Sequence, residues 1–339
     1  MAVTSHTAAP DSLRVAAAQY PIDQPATWAA WQAKLARWVA DGAATGAQLL
    51  VFPEYGAIEL AAIRGDHIAS DLGAMLTAVA ELMPQIDAAH AGLAAQHNVH
   101  ILAASGPRFA NGRDARGGIV NSARLITPSG LIGTQDKLIM TPFEVSWGVQ
   151  PGTVLRVFDT ALGRIGIAIC YDSEFPLLVR GMTEVGAELI LIPSCTERLS
   201  GASRVRTAAL ARALESQIAT VSSPTVGEAL WSPAVDRNTG AAGFFVPAEA
   251  ALADVSSLAE TGILAEGTLN QPGWVTATVP LARLRRLRDS GEMRNHADWA
   301  RQPGAASWSA IVEIVPLLAV TKLQAEADGV TVKCVGLKP

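Results

Sequence analysis

Charged side chains are scarce in this 339-residue chain: Asp, Glu, Lys and Arg make up 17% of it, against about a quarter in an ordinary globular domain. Cysteine is scarcer still, with Cys170, Cys195 and Cys334 alone. An odd count at these spacings matches neither a disulfide framework nor a zinc site, which argues against a small secreted scaffold and for an intracellular chain. A basic excess is also missing. The formal net charge is −5 and the pI is near 5.7, so nothing here has the electrostatic footprint of a nucleic-acid partner. The one basic cluster, Arg283-Leu284-Arg285-Arg286-Leu287-Arg288, falls on an expected helix and reads as a solvated or subunit-contact face, with anion binding as the alternative. No apolar run is long and charge-free enough to span a bilayer. Met1 to Ser12 lacks an apolar stretch behind basic residues, so it does not read as a signal peptide. These absences predict a soluble, cytoplasmic protein with no membrane partner.

Apolar residues are what the chain has in quantity. They make up 50% of the sequence, with a mean hydropathy of +0.26, enough for a large core and little charged surface. Such surfaces are often hidden between subunits, and a homodimer or higher homo-oligomer is expected. The length suits two domains or one large α/β domain. No Gly/Ser linker, charge run, repeat or low-complexity segment marks a boundary. We therefore expect a disordered N-terminus over residues 1–12, one domain over 13–300, and a C-terminal tail over 301–339 that is a candidate for packing at a subunit interface.

Periodicity predicts strands at Leu13 to Gln19, Ala47 to Glu54 and Val99 to Ser105, with a helix at Ala26 to Asp41 that turns Trp28, Trp31, Leu35, Trp38 and Val39 inward. Asp71 to His97 carries a helical pattern in which Pro84 is a candidate break. Ile119 to Thr127 and Leu131 to Leu138, joined by Pro128-Ser129-Gly130, read as a hairpin. Strands follow at Val154 to Phe158, Arg164 to Cys170, Glu188 to Pro193, Ile218 to Ser222, Ala242 to Val246 and Trp274 to Val279. Helices are expected at Phe175 to Gly186 and at Ser203 to Ser216, the latter with Val205, Ala208, Ala209, Ala213 and Leu214 inward; Ala248 to Pro272 reads as loop. This alternation with a hairpin inside it predicts an α/β protein with a mixed sheet.

Glu54, Lys137 and Cys170 each terminate an apolar run, and residues just past strand ends line the ligand crevice of an α/β sheet. Together they supply what amide hydrolysis needs. A thiol attacks the carbonyl, a carboxylate takes the thiol proton and returns one to the leaving amine, and an ammonium with the Tyr171 N–H steadies the oxyanion. A helix N-terminus after Cys170 would favour the thiolate. Each residue also has a plainer reading: a buried inert thiol, a capping carboxylate, a solvated hairpin end.

The local contexts Phe52-Pro53-Glu54-Tyr55, Asp136-Lys137-Leu138 and Ile169-Cys170-Tyr171-Asp172 resemble the nitrilase superfamily of carbon-nitrogen hydrolases, whose members carry a Glu, a Lys and a Cys in this order as catalytic triad. The resemblance covers about residues 13 to 290. It implies an α-β-β-α sandwich, subunits that pair helix layer to helix layer, and a hydrolase without metal or organic cofactor. It also implies a role for a second glutamate, here Glu144 in Thr141-Pro142-Phe143-Glu144, in positioning the lysine and the substrate. Two carboxylates around one ammonium would divide, the one nearer the cation staying ionised and the desolvated one rising toward neutrality.

The run Tyr171-Asp172-Ser173-Glu174-Phe175-Pro176 is similar to the amidase branches, which favours a small carboxamide over a nitrile as substrate. Tyr55, Phe143 and Trp147 are candidates for a pocket wall that suits an apolar acyl group, although Trp147 packing under its own loop is an equal alternative. Tyr171, Glu174, Thr196 and Glu197 are further candidates for lining the cleft. Glu197 would receive an amine-bearing substrate or, alternatively, cap a helix or pair with Arg204 or Arg206. Cys195 reads as a packing residue, and Arg180 and Arg212 as structural. Trp231-Ser232-Pro233-Ala234-Val235-Asp236 resembles a poorly characterised branch, some of whose members are fused to an acetyltransferase domain. A nitrilase, an acyl transferase, a non-catalytic oligomeric scaffold, and a redox or metal role for Cys170 with Cys195 are the competing readings.

Overall fold

Apolar residues on both faces of β1 (Leu13–Pro21) dictate a layered architecture, because alternate strand residues point to opposite sides of a sheet. Leu13, Val15 and Ala17 enter one hydrophobic core while Ala16, Ala18 and Tyr20 enter another. A computed structural model describes residues 9–112, 115–303 and 312–318. The remaining parts of the N-terminal segment and of the tail, Cys334 included, lie outside the described residues.

After β1 come α1 (Trp28–Ala44), β2 (Leu49–Val51), α2 (Asp66–Ala69), α3 (Leu72–His97), β3 (His100–Phe109), β4 (Ile119–Ile126), β5 (Ile132–Asp136), α4 (Pro142–Ser146) and β6 (Val149–Gln150). Then follow β7 (Leu155–Thr160), β8 (Gly163–Ile167), α5 (Pro176–Glu184), β9 (Leu189–Ser194), α6 (Leu199–Ser216) and β10 (Ala219–Glu228). One half-sheet runs β1-β2-β3-β4-β5, with the Gly273–Val279 strand antiparallel beside β1. The other runs β7-β8-β9-β10, and the two join where Tyr20 and Pro21 of β1 pair with Thr225 and Val226 of β10. Their inner faces share one core, in which Val15, Leu49 and Leu125 meet Val157, Ile165 and Leu191. Contact is close enough that a Cβ at Gly133 on β5 would collide with the Phe158 ring on β7. Helices α1 and α3 cover the first half and α5 and α6 the second, which is the α-β-β-α sandwich. Among the described residues no helix is long and apolar enough to cross a membrane.

Several expectations are corrected. Pro84 does not break its helix: α3 runs unbroken through it. A proline inside a helix costs about 3 kcal/mol, and the buried face of Met75, Val79, Leu82, Met83, Ile86 and Ala94 offsets that. On α6, Leu214 is 44% exposed whereas Arg212 is buried, reaching the Ser173 carbonyl and Glu215. The Ala248 to Pro272 region contains a strand, Ile263–Glu266, paired with Gly243–Phe245. The basic cluster divides: Arg286 is exposed and Arg283 pairs with Asp254 at the surface, whereas Arg285 pairs with Glu188 and Arg288 donates to the carbonyls of Gln217 and Ala187. Arg285 also donates to the Pro10 carbonyl, which ties the chain before β1 to the Leu281–Ser290 helix. In the tail, Val312–Pro316 pairs in parallel with β7.

Candidate active site

Strand ends bring the residues of the site together. Past β2, Pro53 leads to Glu54, which is 2% exposed, and to Tyr55, whose φ of 54° lies in the left-handed region. That conformation costs a non-glycine residue roughly 1–2 kcal/mol, and the Tyr55 N–H is satisfied there by Ser105 Oγ at 3.1 Å. Lys137 follows β5, with its backbone N–H on the Asn121 carbonyl at 2.8 Å. Its Nζ lies 2.7 Å from Glu54 Oε1 and 2.6 Å from Glu144 Oε2.

Glu144 is placed by helix chemistry. Thr141-Pro142-Phe143-Glu144 forms a capping box with proline at the first helical position. Thr141 Oγ1 takes the Glu144 N–H at 3.2 Å and the Thr141 N–H reaches Glu144 Oε2 at 3.0 Å. The same carboxylate accepts Lys137 Nζ on Oε2 and the Tyr55 hydroxyl on Oε1, the latter at 2.9 Å.

Cys170 does not end a strand. β8 stops at Ile167, and Cys170 opens a 3-10 turn, Cys170–Glu174, with a left-handed φ of 48°. The turn is closed by Ser173 Oγ donating to the Cys170 carbonyl at 2.6 Å, and α5 begins only at Pro176. The Cys170 thiol lies near enough to Glu54 for that carboxylate to disfavour its ionisation, and its Sγ is 3.9 Å from the Cys195 carbonyl oxygen.

Electrostatics assign different tendencies to these groups. Burial pushes Glu54 up, Lys137 opposes that, and the charge of Glu144 adds to the rise. Burial acts on Glu144 too, but the Lys137 charge and the donors from Lys137, Thr141 and Asn121 outweigh it and hold that carboxylate below its usual range. Burial works against the Lys137 ammonium, yet Glu54 and Glu144 overcome it and raise its pKa. The Cys170 thiol is raised well above its usual value by burial and by Glu54. The expected help of a helix N-terminus to a resting thiolate is therefore opposed: burial and the Glu54 charge both disfavour the thiolate of Cys170, a residue 6% exposed.

The remaining candidates divide. Trp147 packs edge-on to Tyr55 with ring centroids 5.9 Å apart, both beside Glu144. Phe143 is 64% exposed on the outer side of α4, so it does not form an enclosed wall. Tyr171, half-buried, packs edge-on against Phe175 and lies under the Arg204 guanidinium. Glu174 holds that same Arg204 in an ion pair. Thr196 Oγ1 is tied to the Thr239 carbonyl at 2.6 Å. Glu197 is exposed and pairs with neighbouring Arg198, not with Arg204, which goes to Glu174, or Arg206, which goes to Glu266. Arg180, bonded to Glu184 and the His296 carbonyl, is structural.

Sequence reasoning passed over other members of the site. The Cys195 backbone N–H donates to Glu54 Oε2 at 3.0 Å. Asn121 on β4 reaches both carboxylates, at 3.0 Å to Glu54 and 3.2 Å to Glu144. Asp172 accepts the N–H groups of Leu138 and Ile139, and burial raises its carboxyl to about 7. Of these, only Asn121 had a local signal, and a weak one, since the same strand also carries Ser122 and Arg124.

A family model of the carbon-nitrogen hydrolases matches residues 14–289. A probable hydrolase of Bacillus subtilis is 40% identical over 210 residues, 62% of this chain and 39% of that protein. A deaminated glutathione amidase of Yersinia enterocolitica is 37% identical over 78 residues, 23% of this chain and 27% of that one. The chain thus spans well under half the length of either relative. In structure it is similar to a carbon-nitrogen hydrolase from Helicobacter pylori, with a TM-score of 0.65 at 18% identity, over 82% of this chain and 92% of that one. With a family model covering most of its length and the matching layered fold, the chain belongs to the carbon-nitrogen hydrolase family of the nitrilase superfamily.

Proposed function

We propose that the protein is a cysteine-dependent hydrolase of a carbon-nitrogen bond other than a peptide bond, an amidase that converts a small carboxamide to carboxylic acid and ammonia. The observation that carries this reading is the Lys137 ammonium clamped between Glu54 and Glu144 at 2.7 and 2.6 Å with Cys170 beside the first of them.

Glu54 takes the thiol proton as the Cys170 sulfur attacks the carbonyl carbon. Lys137 Nζ and the Tyr171 N–H receive the developing oxyanion, preorganised donors where charge appears. Glu54 then gives its proton to the amide nitrogen, the C–N bond breaks and ammonia leaves a thioester on Cys170. Water attacks the thioester, Glu54 takes its proton, the C–S bond breaks, and Glu54 returns the proton to sulfur. The raised proton affinity of Glu54 suits a group that must both accept and donate near neutral pH. Glu144, held ionised, keeps Lys137 charged and aimed.

The amide preference is supported by the amidase among the relatives. We also propose a soluble homodimer or higher oligomer, supported by the low content of charge and by exposed apolar side chains such as Phe143, Val145 and Leu199. Ammonia release by wild type and Cys170→Ala, against small aliphatic, aromatic and ω-carboxyl amides with the matching nitriles, tests the reading. Release from amides that vanishes in the variant supports it; Cys170-dependent turnover of nitriles alone, or release that survives the substitution, overturns it.

A further inference from the structure

Asn121 is fully buried on β4, and its place in the hydrogen-bond network leaves its amide one orientation. Ser105 Oγ accepts the Tyr55 N–H at 3.1 Å, so the serine proton goes the other way, to Asn121 Oδ1 at 2.7 Å. The amide oxygen is thereby fixed on the Ser105 side. The Nδ2 group faces the two carboxylates and gives one hydrogen to each, to Glu54 Oε1 at 3.0 Å and Glu144 Oε1 at 3.2 Å. The backbone carbonyl of the same residue holds the Lys137 N–H. No other described side chain bonds to both carboxylates besides Lys137 itself.

We propose that Asn121 is a positioning residue that sets the proton affinity of Glu54. By donating to Oε1, together with Lys137, it adds a hydrogen bond to the ionised form of Glu54, whose Oε2 accepts the Cys195 N–H. It also allows two like charges to share one small space with only one ammonium between them. The inference rests on the reading of Glu54 as the proton acceptor for Cys170.

Loss of a donor disfavours the ionised carboxylate, so removal of the amide moves protonation of Glu54 to higher pH. The other groups facing Glu54 stay in place: Lys137, Glu144, Tyr55, Cys170, Asp172 and Cys195. The probe is the rate of Cys170 alkylation by iodoacetamide as a function of pH, read by peptide mass spectrometry so that Cys195 is counted apart. It needs no substrate, so it separates this inference from the proposed amidase activity: a panel of amides that yields no ammonia leaves the alkylation profile readable. In Asn121→Leu the acid limb of the profile is expected to rise by about one pH unit or more, the size of one hydrogen bond to a charged group. Ser105→Ala, which frees the amide to turn, is expected to shift it in the same direction by less, and it decides the matter if Asn121→Leu does not fold. A folded variant whose limb stays at the wild-type pH while all rates scale together would mean that Asn121 is only part of the strand's packing.

Discussion

The Asp172 carboxylate accepts the backbone N–H of Ile139 at 2.7 Å, and so ties the turn of the nucleophile to the strand end that carries Lys137. Leu138 donates to the same group at 3.2 Å, which makes the spacing between Cys170 and Lys137 depend on one buried side chain. Asp172→Ala leaves both amides without this partner in a half-buried place, a cost of up to about 1–3 kcal/mol for each. It is expected to lower the melting temperature and turnover together, whereas Asp172→Asn, which keeps an acceptor, should lower both less. Equal losses in the two variants would show that the bonds do not hold the lysine.

The same residue gives stability a sign with pH. Its folded pKa of about 7 lies above the ordinary value, near 4 in an unfolded chain (about 3.9). Between those values the folded protein holds a proton that the unfolded chain has lost, so this contribution to stability is complete below about pH 4 and disappears as the pH rises through 7. Urea unfolding at pH 5 and pH 8 should therefore show Asp172→Asn gaining on wild type at the higher pH. A constant difference between the two proteins would refute the raised carboxyl.

Substitutions within the clamp are expected to be strongly non-additive. Glu54→Gln should lower kcat by about 10²–10⁴, the range for a general base, and Lys137→Met by about 10²–10³. The double variant should be little worse than the more damaged single one, because a set that acts as a unit fails as a unit. Losses that multiply would separate the two roles and contradict the shared geometry.

Tyr55→Phe keeps the ring against Trp147 and removes only the hydroxyl bonded to Glu144. A several-fold fall in kcat with stability nearly preserved is expected, since one hydrogen bond contributes about 0.5–1.5 kcal/mol. An unchanged kcat would make Glu144 indifferent to that partner.

A second buried pair tests the frame beneath the site. Lys34 Nζ lies 2.6 Å from Glu59 Oε2, and Tyr20 donates to Oε1 at 2.7 Å. Glu59 stands five residues beyond Glu54 on the Gly56–Arg64 3-10 stretch, fully buried. Lys34→Met should destabilise by about 3–5 kcal/mol because it strands that carboxylate. Adding Glu59→Leu should recover part of the loss. Chemical denaturation of the single and double variants reads both effects, and a double variant no better than the single would mean that packing, not charge, is at stake.

Much of the layering was legible beforehand because it follows from local pattern. The apolar run in Leu13 to Gln19, helical spacing at Trp31, Leu35 and Val39, and the Pro128-Ser129-Gly130 turn depend on neighbours a few residues away. Pro84 misled because a proline's local cost is visible in the sequence whereas the buried face that outweighs it is assembled by tertiary packing. Leu214 misled for a similar reason: tertiary packing left it 44% exposed, while Arg212, expected to be structural, is buried with Ser173 and Glu215 as partners.

The sequence by itself determined most of the strands and helices and marked Glu54, Lys137 and Cys170 as polar residues that follow apolar runs, because propensity and periodicity act over short range. Thr141-Pro142-Phe143-Glu144 even contained its own capping box. Only the tertiary structure decided that Lys137 lies between two carboxylates, that Asn121 spans both, and that burial and Glu54 disfavour the Cys170 thiolate. Those properties depend on distances between segments as far as 141 residues apart, as in the bond from the Cys195 N–H to Glu54, and on the exclusion of water around them. Burial and charge at close range are set by the packed layers, and no stretch of chain carries them alone.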